Sequence, residues 1–141
     1  MDIRNIASNY SVSPQILPTD VAAIKAAGFT TVLCNRPDEE VPSDIGSDAM
    51  RKEVEAAGLR FVFNPVTHQS LNAEMVKVQM STIEQSSGPV LAYCASGTRS
   101  SIVWSLGSAK SMPVDAIIEA TARAGYDLQG LRQRITDLAA S

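Results

Sequence analysis

The chain has 141 residues, 45% hydrophobic and 19% charged, the composition of a folded globular domain and not of a disordered segment. Twelve Lys and Arg against 15 Asp and Glu give a net charge of −3, and no basic run exceeds the pair Arg51 and Lys52, so binding to nucleic acid through a basic face is not expected. Uninterrupted apolar runs are only a few residues long, which argues against a membrane segment.

This length suits one domain with one core, spanning residues 1–141. The start, Met1-Asp2-Ile3-Arg4-Asn5, lacks the basic region and apolar stretch of a secretory signal, so the expected compartment is the cytoplasm. Two cysteines, Cys34 and Cys94, match neither a secreted disulfide framework nor a zinc site. Both read as free thiols, and no metal or cofactor is called for.

Switches between apolar runs and helical periodicity predict alternating strands and helices. A short apolar start (Ile3 to Ala7) precedes an expected strand over Tyr10 to Ile16. Pro18, Thr19 and Asp20 supply an N-cap for a helix whose Val21, Ile24 and Ala27 share a face, closed by Gly28. Phe29 to Cys34 is a continuous β-branched and apolar run, the pattern of a strand buried on both faces. It ends in the polar loop Asn35-Arg36-Pro37-Asp38-Glu39-Glu40. A helix is expected over Ser47 to Ala57, because Met50, Val54 and Ala57 share a face. The next strand, Arg60 to Phe63, is cut short by Pro65. Asn72 caps a third helix, to about Gln85, with Met75, Val76, Met80 and Ile83 as its apolar face. Pro89 to Tyr93 is the last strong strand, followed by Cys94-Ala95-Ser96-Gly97-Thr98-Arg99-Ser100 and a helix from Ser101 to about Ala109. Two further helices are expected, one opened by Pro113 and ending near Gly125, the other from about Leu128 to Ala139. This order predicts an α/β fold in three layers with a mainly parallel central sheet, whose reactive end is the carboxyl end of the strands.

Cys94 falls at that end. A thiol between a buried strand and a helix N-terminus meets the positive end of the helix dipole and free backbone N–H groups, so its pKa should fall. Gly97 lets the backbone of Ala95, Ser96, Gly97 and Thr98 turn its N–H groups inward as an anion nest, and Arg99 adds a fork of donors. Ser100 can give a hydroxyl hydrogen bond to the thiolate. The pattern describes an activated nucleophile in an anion cradle, against the plainer reading of a buried structural cysteine before a turn glycine. Cys34, with no Gly-Arg sequence after it, reads as a core thiol or as a resolving partner for Cys94.

Two enzyme groups resemble this strand, cysteine loop and helix: the protein tyrosine and dual-specificity phosphatases, and the rhodanese sulfurtransferases. Phosphatase loops place Arg six residues after Cys. Here Arg99 follows Cys94 by five, which is similar to the rhodanese form Cys-x-x-Gly-x-Arg-Ser. The loop Asn35 to Glu40, Pro65-Val66 and the segment Tyr93 to Ser100, in that order, resemble the beta-lactamase hydrolase-like protein family, and the resemblance covers nearly the whole chain. It implies a fold like that of dual-specificity phosphatases, in some bacteria fused to a sulfur-oxidising metallo-hydrolase domain.

The resemblance implies cysteine-dependent group transfer on a small anionic substrate. The shorter ring favours a sulfurtransferase that carries a persulfide on Cys94; the alternative is a phosphatase working through a cysteinyl phosphate. A third reading is an inert module that holds an anionic ligand. Phosphatases of this kind use an acid for the leaving group, usually Asp on the loop after a preceding strand. The matching segment, Asn64-Pro65-Val66-Thr67-His68-Gln69, carries His68 there, either an acid–base group or a solvated loop residue. Asp38 is the other candidate acid, or a solvated carboxylate beside Arg36. Arg36 either contacts the anionic substrate or pairs with Asp38 or Glu39.

Overall fold

The computed structural model describes residues 1–141. Its centre is a five-stranded sheet in the order β1-β2-β5-β3-β4, formed by β1 (Arg4–Ala7), β2 (Tyr10–Ser13), β3 (Thr31–Cys34), β4 (Arg60–Phe63) and β5 (Val90–Tyr93). Four strands run parallel, and β1 pairs antiparallel with β2 at the edge. The helices are α1 (Val21–Ala26), α2 (Ser47–Ala56), α3 (Ala73–Gln85), α4 (Thr98–Gly107), α5 (Val114–Arg123) and α6 (Arg132–Ala140).

Strand side chains alternate between faces with period two, and both faces are covered. In β5, Val90 and Ala92 enter a cluster with Trp104, Ile117 and Ile135, while Leu91 and Tyr93 enter another with Val32, Met50 and Phe61. Helices α3 to α6 cover the first face and α1 and α2 the second, which makes the three layers and explains the continuous apolar runs of β3 and β5. Ile117 is 0% exposed; a side chain buried to that degree contributes about 1.5–3 kcal/mol.

Several boundaries differ from the sequence reading for local reasons. Strand β2 stops at Ser13, because Pro14 has no N–H for the ladder. A 3-10 turn at Pro18–Asp20 precedes α1, and the Asp20 carboxylate accepts the Leu17 N–H at 2.8 Å instead of capping α1 itself. A similar turn, Gln129–Leu131, delays α6 to Arg132. The inward positions of α3 are Gln79 and Thr82, whereas Met75, Val76, Met80 and Ile83 are only half-buried. The buried Tyr10 hydroxyl accounts for Gln79, whose Nε2 donates to it, since a buried phenol without a partner is costly. Most consequential, α4 begins at Thr98 and not at Ser101, because Gly97, at φ 97°, turns the chain directly into the helix.

Candidate active site

Strand β5 lies between β2 and β3, and its carboxyl end delivers the chain into the loop Cys94–Gly97 and then α4. Parallel sheets place their ligand sites at such carboxyl ends. The Cys94 thiol is 0% exposed, beneath the loop, and the Gly97 N–H donates to its Sγ at 3.1 Å. The first helical bond of α4 runs from the Ser101 N–H to the Gly97 carbonyl at 3.0 Å. The amides of Arg99 and Ser100 precede that bond and belong to the open N-terminus of the helix. Ala95 and Ser96 form the exposed crest, fastened by the Ser96 hydroxyl donating to Thr98 Oγ1 at 3.0 Å.

The early helix start draws Arg99 into the first turn of α4, where it is 9% exposed. Its guanidinium has five N–H donors. Nη1 donates to Glu40 Oε2 at 2.8 Å and to the Val66 carbonyl at 2.9 Å, and Nη2 donates to Glu40 Oε1 at 2.7 Å. The Nε–H and one Nη2–H remain, which together form the side fork of the guanidinium. Glu40 also accepts from Arg36 Nε at 3.2 Å, and Arg36 Nη1 donates to Gln15 Oε1 at 3.2 Å. The Arg99 hydrogen bond holds the Glu40 carboxyl below the usual carboxylate range, with Arg36 adding to the effect. Glu40 in turn raises Arg99, as does the neighbouring Cys94 sulfur.

Several candidate residues stand in other relations than expected. The oxygens of Asp38 accept the Ser47 N–H at 2.8 Å and the Ser47 hydroxyl at 2.7 Å, so Asp38 caps α2 from nine residues upstream and is neither a free acid nor a partner of Arg36. Arg36 bonds Glu40 instead of Asp38 or Glu39. Ser100 makes no hydrogen bond to Cys94; its Oγ accepts from Asn35 Nδ2 at 2.9 Å. Asn35 Oδ1 accepts in turn from Asn64 Nδ2 at 3.3 Å, and the same amide reaches the Met75 carbonyl at 3.0 Å. His68 is exposed on the loop after β4, two residues beyond Val66. Cys34 is in register with Tyr93, and both enter the cluster under α1 and α2. Cys34 and Cys94 are both free and buried. Burial pushes the Cys34 thiol up to about 11.

The residues missed in the sequence are those that hold the loop from outside: Asn35, Glu40, Asn64, the Val66 carbonyl and Tyr126. Asn35 and Glu40 stand in the polar segment after β3, but composition gives a surface loop no sign of which carboxylate turns inward. The Tyr126 hydroxyl donates to the Ser96 carbonyl at 2.9 Å from 30 residues away, and nothing in the local sequence signals that contact.

The phosphatase-like domain of beta-lactamase hydrolase-like protein matches residues 2–111. A beta-lactamase hydrolase-like protein of Agrobacterium fabrum is 28% identical over 109 residues, which cover 77% of this chain and 25% of that protein; the chain thus spans about a quarter of this relative. A candidate phosphatase from Neisseria meningitidis, solved by crystallography, is 34% identical with a TM-score of 0.82, covering 98% of this chain and 99% of its own. The core catalytic domain of a PP-IP phosphatase from S. cerevisiae, in complex with citrate, shares the fold alone, at 11% identity and a TM-score of 0.70 over 97% of this chain and 84% of that one. These likenesses are to phosphatase-like proteins, and the sulfurtransferase expectation drawn from ring length finds no support among them. With cysteine, arginine and the start of α4 in one loop, and with the match extending over most of its length, the chain belongs to the beta-lactamase hydrolase-like family, as its phosphatase-like enzyme domain.

Proposed function

We propose that the protein hydrolyses phosphate monoesters through a cysteinyl-phosphate intermediate. One observation carries the reading: Arg99 is held on one edge by Glu40 and the Val66 carbonyl, with its other fork left beside Cys94 for two oxygens of a tetrahedral anion. The Gly97 amide and the open amides of α4 supply the further donors that a phosphoryl group needs, so a ring one residue shorter than the usual phosphatase loop still has its full set. A small anionic substrate follows from the same donors.

The Cys94 thiolate attacks phosphorus, forming a P–S bond as the P–O bond to the leaving group breaks. His68 gives its proton to the departing oxygen, since Asp38 is committed to α2 and Glu40 is held ionised between two guanidinium groups. Water then attacks phosphorus, the P–S bond breaks to return the thiolate, and inorganic phosphate leaves while His68 regains a proton from that water. Asn35 fixes the Ser100 oxygen as acceptor, and the hydroxyl's own hydrogen is the one it has left to give to the thiolate. Glu40 acts as the positioning residue for Arg99, and Arg36 steadies Glu40 at the rim.

The test is turnover of the reduced protein and its Cys94→Ser variant on para-nitrophenyl phosphate and on thiosulfate. Phosphate release that depends on Cys94, without sulfur transfer, is expected; sulfur transfer without phosphate release overturns the reading. For His68, the cost of His68→Asn in kcat should grow with leaving-group basicity across a series of aryl phosphates, toward about 10²-fold for the poorest. A uniform cost across the series would remove His68 from the acid role.

A further inference from the structure

Tyr126 lies outside the residues that match the family model, in the turn between α5 and α6, and is 7% exposed. Its hydroxyl bonds the Ser96 carbonyl at 2.9 Å. That carbonyl shares a peptide unit with the Gly97 N–H, and the C=O and N–H of a planar trans peptide point in opposite directions. The Gly97 N–H bonds the Cys94 sulfur at 3.1 Å. One peptide plane is therefore pinned at both ends, with the phenol behind it and the nucleophile in front. The contact is close: a Cβ on Gly97 would overlap the phenol oxygen and stand 2.9 Å from Cζ. The ring is itself held, with the Arg4 guanidinium 5.4 Å from its centroid and Arg4 Nη1 donating to the Ala124 carbonyl at 3.1 Å. Burial raises the phenol above its ordinary value, which keeps it a protonated donor.

We propose that Tyr126 is a positioning residue for the nucleophile, anchoring the Ser96 carbonyl away from the site so that the Gly97 amide stays aimed at the Cys94 sulfur and at an oxyanion bound over it. Gly97 makes such an anchor necessary. A residue without a side chain resists rotation of its flanking peptides weakly, and a rotated Ser96–Gly97 peptide would present a carbonyl oxygen to an anion in place of an N–H. The phenol hydrogen bond also polarises that peptide, which strengthens its N–H as a donor to negative charge. The inference rests on Cys94 being the reactive thiol and on the loop binding an anion; it does not depend on hydrolysis.

Tyr126→Phe keeps the ring against Gly97 and under Arg4 and removes only the hydroxyl. Three readouts separate positioning from packing: the rate of Cys94 alkylation by iodoacetamide at neutral pH, protection from alkylation by inorganic phosphate, and kcat/KM on para-nitrophenyl phosphate. The first two are read in a Cys34→Ser background, so that only Cys94, itself buried, reports. We expect alkylation to change several-fold, phosphate protection to weaken by about tenfold and kcat/KM to fall by a similar factor, as for a lost hydrogen bond that serves a charged group. Wild-type alkylation and phosphate protection in Tyr126→Phe, with only the thermal midpoint lowered, would overturn the inference and leave Tyr126 as core packing. If neither protein releases phosphate, yet alkylation and protection shift as stated, the anchoring role stands and the phosphatase reading fails.

Discussion

The loops after β5 and β3 lie side by side at the carboxyl end of the sheet, yet they work by different means. The loop after β5 acts largely through backbone: the Gly97 amide donates to one buried sulfur, and the amides of Arg99 and Ser100 stand free at the start of α4. The loop after β3 acts through side chains directed at its neighbour: Asn35 fixes Ser100, Glu40 grips Arg99, and Asp38 turns away to cap α2. A backbone cradle can be read from a few residues in a row. A side-chain brace depends on which of three successive carboxylates happens to face inward, and only Glu40 does.

That contrast is tested by substitutions graded by distance from the chemistry. Cys94→Ser should abolish phosphate release, by about 10³-fold or more, because no other group can carry the intermediate. Arg99→Lys keeps the charge but loses the fork, and kcat/KM should fall by about 10²–10³-fold; a loss under threefold would mean the backbone binds the anion unaided. Glu40→Gln should cost about tenfold, mainly in KM, because the guanidinium survives but its edge is no longer clamped. The same pair has a pH signature. Arg99 holds Glu40 below the usual carboxylate range, so the clamp is complete above the ordinary value of about 4.3 and is lost only as the pH falls through the lower folded value. The ratio of phosphate affinities between wild type and Glu40→Gln, which cancels the titration of phosphate itself, should therefore stay constant on acidification to about pH 4, and a ratio that collapses well above that would contradict the clamp. Asp38→Ala is the smallest effect on chemistry: turnover unchanged, with stability lower by about 0.5–2 kcal/mol in denaturant unfolding as the Ser47 donors lose their acceptor. A drop in kcat with unchanged stability would return Asp38 to the active site.

The two cysteines illustrate how far a linear reading reaches. Both end buried strands, and the glycine, arginine and serine after Cys94 marked it as the reactive one. Register places Cys34 beside Tyr93, in the cluster under α1 and α2, while Cys94 follows the end of β5 and belongs to neither cluster. The resolving role considered for Cys34 depended on adjacent strands, and β3 and β5 are adjacent.

Ring length was the least transferable inference. Counting residues between Cys94 and Arg99 treats the loop as closed on itself, whereas α4 begins at Thr98 and lends the amides of its first turn to the same cradle. The donor set around an anion is a property of the folded loop and helix together, and a spacing in sequence records only part of it.

By itself the sequence determined the order of strands and helices, their layering, the strand end that carries the candidate nucleophile and the residues of the thiol loop. Each of these follows from short-range chemistry: side-chain periodicity, caps, and glycine where the backbone must turn. Only the tertiary structure decided that Glu40 and not Asp38 faces Arg99, that Asn35 and Asn64 brace Ser100, and that Tyr126 supports the Ser96–Gly97 peptide from the far end of the chain. Those contacts join segments between 29 and 65 residues apart, and which polar groups meet there is set by how the packed layers bring their loops together, since any buried donor or acceptor must then find its partner across the fold.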